Sequence, residues 1–228
     1  MFRFPHRSMY NSWYHLRPID LSKIETVQFP CDQYIQEIHC KKQIVLHHTV
    51  SGDGINGDLS TWEGTADRVA TCIIVDRAGT PWQLFSSKYW AYHLGAGNSK
   101  LDKQSIAIEI DNWGWLQPGS ISGKFKTYYG NEIYTTAEYY PNGFRDYNYY
   151  EKYTDAQIKT IGELILYWNM IYNIPLQYNE DMWDISQNAL DGKQGIWTHV
   201  SYRPNPQKTD CHPQPELIDM LKILKYIR

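Results

Sequence analysis

The stretch QIVLHHTV (residues 43–50) decides the fold, because a short run of β-branched and aliphatic side chains is typical of a buried strand. A second stretch of the same kind, SIAIEID, covers residues 105–111. Both runs are nearly continuous in apolar residues, which is expected of strands whose two faces are both covered. We therefore expect these strands to lie inside a sheet with helices on either side.

A hairpin and a long helix follow from the neighbouring sequence. In residues 69–85, VATCIIVDRAGTPWQLF, apolar runs flank the turn-forming residues 76–79, which predicts a β-hairpin. From Thr154 onwards apolar residues recur at helical spacing, and Thr154 with Gln157 forms the pattern of a capping box. Pro175 is expected to end this helix.

The remaining segments complete the domain plan. A short helix is expected over residues 60–68 and an amphipathic helix over residues 215–227. Strands and helices alternate, which predicts an α/β fold, a single domain with a mixed central β-sheet flanked by α-helices. Residues 1–40 are interpreted as an N-terminal arm packed on the domain of residues 41–228. Residues 112–152 are rich in Gly, Tyr and Asn and show no period, which indicates an ordered insertion or a functional loop.

Composition disfavours several classes of function. The net charge is −3 and no run of Lys or Arg occurs, so a nucleic-acid partner is not expected. No apolar stretch is long enough to span a membrane, and residues 1–20 lack the apolar segment of a secretory signal, so cytoplasmic synthesis is expected. The 19 Tyr and 9 Trp offer flat surfaces that stack on sugars and peptides. Trp62, Trp82 and Trp90 are candidates to line a groove, although core packing is the more common role.

Three separated segments carry candidate metal ligands. His47 lies near a strand end, His199 follows a second strand-like segment, and the cluster of residues 208–211 reads Lys-Thr-Asp-Cys. Two imidazoles with one carboxylate or thiolate make the donor set of a catalytic zinc site, which keeps its fourth position open for water. Spacing alone is a weak indication, since separated histidines are common and a single strand histidine is more often structural.

The order of these motifs resembles the zinc-dependent N-acetylmuramoyl-L-alanine amidases, a superfamily of phage endolysins, cell-wall recycling amidases and peptidoglycan recognition proteins. The resemblance covers residues 43–111 and 153–225. It implies a Zn²⁺-dependent hydrolase whose partner is peptidoglycan and whose target is the amide between N-acetylmuramic acid and L-alanine. The motifs that carry it are LHHT (46–49), the hairpin, YHLGAG (92–97), SIAIEI (105–110), YTDAQIKTIGELILYW (153–168) and a final His followed by Lys-Thr-Asp.

The resemblance assigns the metal ligands. His47 matches the first zinc ligand of the family and His199 matches the second. In the family a lysine lies two positions before the third ligand, and Lys208 stands two positions before Asp210. The family also has Pro-Gly directly after that ligand, whereas Cys-His-Pro follows here, so Cys211 is a rival to Asp210.

The resemblance also implies catalytic and substrate-binding residues. Lys208 is expected to stabilise the oxyanion. Glu109 matches the general base of the recycling-type amidases, and its alternative role is to orient a ligand. His93 matches a histidine near the substrate cleft, although a structural hydrogen bond to a backbone carbonyl is equally expected. His48 has the same two interpretations.

Two other functions remain open at this point. A non-catalytic peptidoglycan-binding protein would have lost a zinc ligand, and a hydrolase of another cell-wall amide would give different products. The protein is expected to be either a phage lysis enzyme that acts on the wall or a cytoplasmic recycling enzyme, and the aromatic insertion favours phage lysis. The sequence leaves the oligomeric state open.

Overall fold

The computed structural model describes residues 13–52, 54–205 and 208–227. A six-stranded sheet occupies the centre and a five-stranded sheet lies beside it. The strands are, in chain order, β1 (Glu25–Thr26), β2 (Gln43–His48), β3 (Ile73–Val75), β4 (Pro81–Gln83), β5 (Ser105–Ile110), β6 (Trp115–Pro118), β7 (Lys124–Lys126), β8 (Glu132–Tyr134), β9 (Ala137–Phe144), β10 (Tyr147–Glu151) and β11 (Gly195–Thr198). The α-helices are α1 (Asn56–Glu63), α2 (Ser99–Gln104), α3 (Asp155–Tyr172), α4 (Gln187–Leu190) and α5 (Pro215–Ile223).

The central sheet has the order β1-β4-β3-β5-β2-β11. Strands β2, β3, β5 and β11 run parallel, and β4 runs antiparallel to β3, so the sheet is mixed as the sequence predicts. Every residue of β2 and β5 is buried. Because parallel strands end at the same edge, this register places His47 beside Glu109 and brings the end of β11 next to both.

The long helix α3 starts as the sequence predicts. The Thr154 side chain accepts a hydrogen bond from the backbone of Gln157, whose side chain accepts one from the backbone N–H of Thr154. The helix ends at Tyr172, although Pro175 would allow it to continue as far as Ile174. It ends early because Asn173 adopts a left-handed conformation with φ 54°. Asparagine tolerates this conformation, which terminates helices.

Two other expectations need adjustment. The short helix predicted over residues 60–68 is α1, which begins four residues earlier and ends before Gly64. The turn of the predicted hairpin is confirmed between β3 and β4, where Gly79 has φ 85°. A side chain at this position would lie 2.8 Å from the backbone of Ala156, so the turn can pack on the start of α3 only with glycine there.

Residues 13–40 pack against the rest of the described chain. Trp13, Leu16 and Ile19 are buried, and the Ile19 N–H donates to the Glu163 carbonyl of α3 at 3.1 Å. Strand β1 then extends the central sheet by pairing with β4. Residues 1–12 of the predicted arm lie outside the described residues. None of the helices in the described part of the chain combines the length and apolar character needed to cross a bilayer.

Residues 112–152 form the second sheet, an antiparallel sheet of order β8-β7-β6-β10-β9. Its strands are mostly half-buried or exposed, which explains why the sequence shows no alternation of apolar and polar residues. Glu151 anchors the sheet to the domain: its carboxylate accepts hydrogen bonds from Arg77 at 2.9 Å, from the Trp113 N–H at 2.7 Å and from the Thr135 hydroxyl at 2.7 Å. The insertion is thus an ordered part of the fold.

The cap of α3 gives a test of this local structure. Replacing Thr154 with alanine removes the oxygen that accepts from Gln157, so we expect Thr154→Ala to lower the free energy of unfolding by about 1 kcal/mol. Thr154→Ser keeps the oxygen and should keep most of the stability. Urea denaturation followed by circular dichroism measures both; equal stability of the alanine and serine variants would contradict the role of the cap.

Candidate metal centre

Three buried side chains converge at the carboxyl edge of the central sheet. His47 is the penultimate residue of β2, and His199 directly follows β11, the neighbouring strand. Asp210 reaches them from the following loop, whose position is fixed by a 2.8 Å hydrogen bond from the Val200 N–H to the Asp210 carbonyl. One donor atom from each of these three residues lies within 4.8 Å of the others.

The distances suit a small tetrahedral ion. The Asp210 Oδ2 atom lies 3.4 Å from His47 Nδ1 and 2.9 Å from His199 Nδ1. Donors bound to zinc at about 2.1 Å in a tetrahedron are about 3.4 Å apart. The side chains therefore need only small adjustments to bind one ion between them.

A chain of hydrogen bonds fixes the tautomer of His47. The Ser105 hydroxyl donates to the Leu101 carbonyl at 2.8 Å, so it accepts from His93 Nε2 at 2.7 Å. The neutral His93 ring then accepts at Nδ1 from His47 Nε2, at 3.0 Å. The His47 proton thus lies on Nε2, which leaves the Nδ1 lone pair facing Asp210.

His199 is oriented in the same sense by a backbone carbonyl. Its Nε2 lies 2.9 Å from the Leu94 carbonyl and must donate to it, so Nδ1 faces the cluster. The loop that supplies this carbonyl is itself fixed, since one Asp102 carboxylate oxygen accepts from the N–H groups of His93 and Leu94, each at 3.0 Å. Metal-binding histidines characteristically have their second nitrogen held in this way.

Electrostatics keep the donors in the form that binds a metal. Burial, together with the neighbouring His199, lowers the pKa of His47 to about 3, so the ring is neutral. Burial raises the pKa of Asp210, but His199, His47 and Lys208 outweigh that effect and hold it well below its usual range. The neutral His47 ring and the Asp210 carboxylate thus face the Nδ1 atom of His199 in a buried space, and this set of donor atoms is one that a divalent cation stabilises.

His93 and His48 both line the cavity beside the three donors, as expected of residues near the substrate, and both also take part in hydrogen bonds within the protein. The His93 ring bonds the His47 ring and the Ser105 hydroxyl, and not the backbone carbonyl named as the structural alternative. The Tyr153 hydroxyl accepts from the His212 N–H and donates to His48 Nδ1 at 2.9 Å. The His48 Nε2 atom has no partner among the described residues. Cys211 is buried, and its thiol lies outside the group of three donors.

A cavity of about 510 Å³ opens onto this group, and both Glu109 and Lys208 line it. The Glu109 carboxyl group is buried and has no hydrogen-bond partner within the described chain. Burial, followed by the charges of Asp210 and Asp58, raises the pKa of Glu109 well above its usual range. Glu109 is therefore a stronger proton acceptor than a surface glutamate.

Sequence reasoning missed several residues of this cavity. Asp58 on α1 lines it, and burial raises the pKa of Asp58 to about 7. Of the three tryptophans expected as candidates to line a groove, Trp62 does line the cavity. Trp90 is buried away from the cavity, and Trp82 donates a hydrogen bond to Asp76. The insertion contributes only aromatic residues to the lining, namely Trp115, Tyr128, Tyr129 and Tyr147. The high aromatic content of residues 112–152 was the one available signal for these four.

A family model described as N-acetylmuramoyl-L-alanine amidase matches residues 39–215. The chain belongs to this amidase family. The match includes His47, Glu109, His199, Lys208 and Asp210. The amidase hydrolyses the bond between N-acetylmuramic acid and L-alanine in peptidoglycan, as the resemblance implies.

Two solved structures, those of AmiA and AmpD, share this fold. The hydrolase AmiA from Staphylococcus aureus is 14% identical with a TM-score of 0.54, over 98% of this chain and 93% of that one. A selenomethionine derivative of AmpD is 16% identical with a TM-score of 0.50, over 90% of this chain and 98% of that one. The endolysin LysCS from Clostridium intestinale is 14% identical with a TM-score of 0.49, over 92% and 99% respectively. No curated protein matches the amidase.

The third ligand can be tested by metal retention. Asp210→Ala removes the carboxylate of the cluster, so if the cluster binds zinc we expect the wild-type amidase to keep zinc through dialysis and the variant to lose it. Cys211→Ser is the matched control, since it changes the adjacent buried side chain and should leave metal content unchanged. Elemental analysis of both dialysed proteins gives the answer, and the opposite pattern would move the ligand to Cys211.

Proposed function

We propose that the amidase holds one zinc ion between His47, His199 and Asp210. The observation that carries this proposal is the convergence of the Asp210 carboxylate with two imidazole nitrogens. The two histidine rings are oriented by hydrogen bonds to Leu94 and, through His93, to Ser105. When bound, zinc lowers the pKa of a water molecule and polarises the amide carbonyl. Two histidines and one carboxylate leave a coordination position open for that chemistry.

Glu109 is proposed as the general base. It lies beside His47 across the β2–β5 pair and lines the same cavity. Its carboxyl group has a raised pKa and no hydrogen-bond partner within the described chain, so it is available to accept a proton from the attacking water and to pass it to the leaving nitrogen. The alternative role, orientation of a ligand, is less favoured because the ligand histidines already have other hydrogen-bond partners.

Lys208 is proposed to stabilise the oxyanion. It lines the cavity two residues before Asp210, so its ammonium group lies on the same loop as the third ligand. A positive charge near the developing alkoxide stabilises the transition state more than the uncharged carbonyl of the substrate. The cavity thus contains an acceptor for the proton and a cation for the negative charge.

The amidase is proposed to degrade the bacterial cell wall during phage lysis. The wide cavity, with its added aromatic side, fits a polymeric substrate, which a lysis enzyme encounters and which a recycling enzyme does not. A non-catalytic binding role is disfavoured, because the three donor residues and the cavity carboxyl group of Glu109 are all present.

Product analysis tests the reaction. Purified peptidoglycan treated with the amidase should give intact glycan strands and stem peptides with a free L-alanine amino group. Mass spectrometry and amino-group labelling identify both products. A chelator should abolish the reaction and added zinc should restore it. Peptide fragments with internal cleavage would assign the enzyme to another wall amide, and full activity in the chelated protein would remove zinc from the proposal.

Glu109 has its own test. We expect Glu109→Gln to keep its zinc and its circular dichroism spectrum while kcat falls by about 10²- to 10⁴-fold, the usual contribution of a general base. Asp58→Asn is the matched control, because it neutralises another buried carboxyl group of the same cavity and should cause a smaller loss. A larger loss in the Asp58 variant would transfer the base role to that residue, and loss of zinc from Glu109→Gln would make Glu109 structural.

A further inference from the structure

The insertion contributes only aromatic side chains to the lining of the catalytic cavity. We name Trp115, Tyr128, Tyr129 and Tyr147 the aromatic wall; all four belong to the insertion and line the cavity that contains the metal-ligand group. Two of its members form a stacked pair, with the ring centroids of Trp115 and Tyr147 4.0 Å apart and the ring planes inclined by 8°. Tyr128 packs edge-on against Trp115 at 5.7 Å and against Tyr129 at 5.1 Å.

The outer rings of the wall are open to a ligand. Tyr128 is 59% exposed and Tyr129 is 66% exposed, although both contact other aromatic rings. A large exposed apolar surface is costly in water and is typical of a binding site. Since these two exposed rings also line the catalytic cavity, their ligand is expected to be part of the substrate.

The wall is held in place before any substrate arrives. Strand β6, which carries Trp115, pairs with β10. Glu151 at the end of β10 bonds Arg77 and the Trp113 N–H, and Arg77 also bonds Asp111 at 2.6 Å. A surface that is already ordered loses little conformational entropy on binding.

The chemistry of the wall fits sugar rings. The face of an aromatic ring is electron-rich, and the C–H groups on one face of a pyranose ring form a flat apolar surface of slight positive charge, so the two stack. Stem peptides carry carboxylates, whose recognition calls for Arg or Lys, and the wall has neither. In the substrate, a short lactyl bridge joins the sugar ring to the amide that is cut. A sugar must therefore lie in the same cavity as Glu109.

We propose that the aromatic wall is a glycan-binding subsite that stacks the sugar rings adjoining the cleaved amide. The subsite makes the insertion the part of the enzyme that selects polymeric peptidoglycan over short muropeptides. This inference rests on the proposed function, because the position of the sugar follows from the bond that is hydrolysed.

The experiment measures glycan binding without turnover. Stem-free glycan strands of alternating N-acetylglucosamine and N-acetylmuramic acid are titrated into the purified amidase in a calorimeter, and free stem peptide is titrated separately. In the double variant Tyr128→Ala/Tyr129→Ala, we expect affinity for the strands to fall at least about tenfold, which corresponds to ~1.4 kcal/mol. Affinity for the stem peptide should stay at the wild-type value.

Two controls separate stacking from other effects. Tyr128→Phe/Tyr129→Phe keeps the ring faces and should bind the strands nearly as the wild type does. Tyr134→Ala removes another exposed tyrosine of the same sheet that does not line the cavity, and it should leave glycan affinity unchanged. Circular dichroism confirms that each variant is folded.

The outcomes are distinct. Unchanged glycan affinity in the alanine double variant, or an equal loss in the phenylalanine variant, would overturn the subsite. A selective loss of affinity for the stem peptide would also overturn it and would assign the wall to the peptide. Because binding of stem-free strands needs no hydrolysis, a failure of the proposed catalysis would appear in product analysis and not in this titration.

Discussion

Three acceptor atoms that face one another in a buried space impose the main constraint on this structure. The lone pairs of His47 and His199 and the carboxylate of Asp210 repel one another unless a cation or protons lie between them. Their hydrogen bonds direct the ring protons outward, to His93 and to the Leu94 carbonyl. Electrostatic repulsion is therefore concentrated at the end of β2, where a bound cation would relieve it.

Parallel strand pairing brings these polar side chains together at one edge of the sheet. The β11–β2–β5 register ends three neighbouring strands at one edge, which puts His199, His47 and Glu109 side by side although they are far apart in sequence. The residues that orient them are close to the same edge: Ser105 begins β5, and Asp102 in α2 fixes the loop that carries His93 and Leu94. Sheet geometry thus positions both the proposed ligands and the groups that orient their rings.

The central sheet and α3 could be predicted from the sequence because their signals are local. Continuous apolar runs indicate β2 and β5, and Thr154 with Gln157 marks the start of α3. The end of α3 was harder to predict, because the helix stops at the left-handed conformation of Asn173 before it reaches Pro175. The ligand set was reached only through the order of motifs in a known family. The role of His93 in orienting His47 could not be predicted from the sequence, because it depends on the positions of the protons on His47, His93 and Ser105.

The insertion was the hardest part to predict, because its tyrosines are half-exposed on a sheet with little core of its own. Its attachment through Glu151 has a consequence for the design of chimaeric lysis enzymes. Arg77 comes from the β3–β4 hairpin, while Trp113 and Thr135 come from the insertion, so the anchor joins partners from outside and inside the segment. A cassette exchanged at the strand boundaries would separate this buried carboxylate from its guanidinium. A functional transplant therefore has to carry Arg77 and Asp111 along with residues 112–152, as a discontinuous unit.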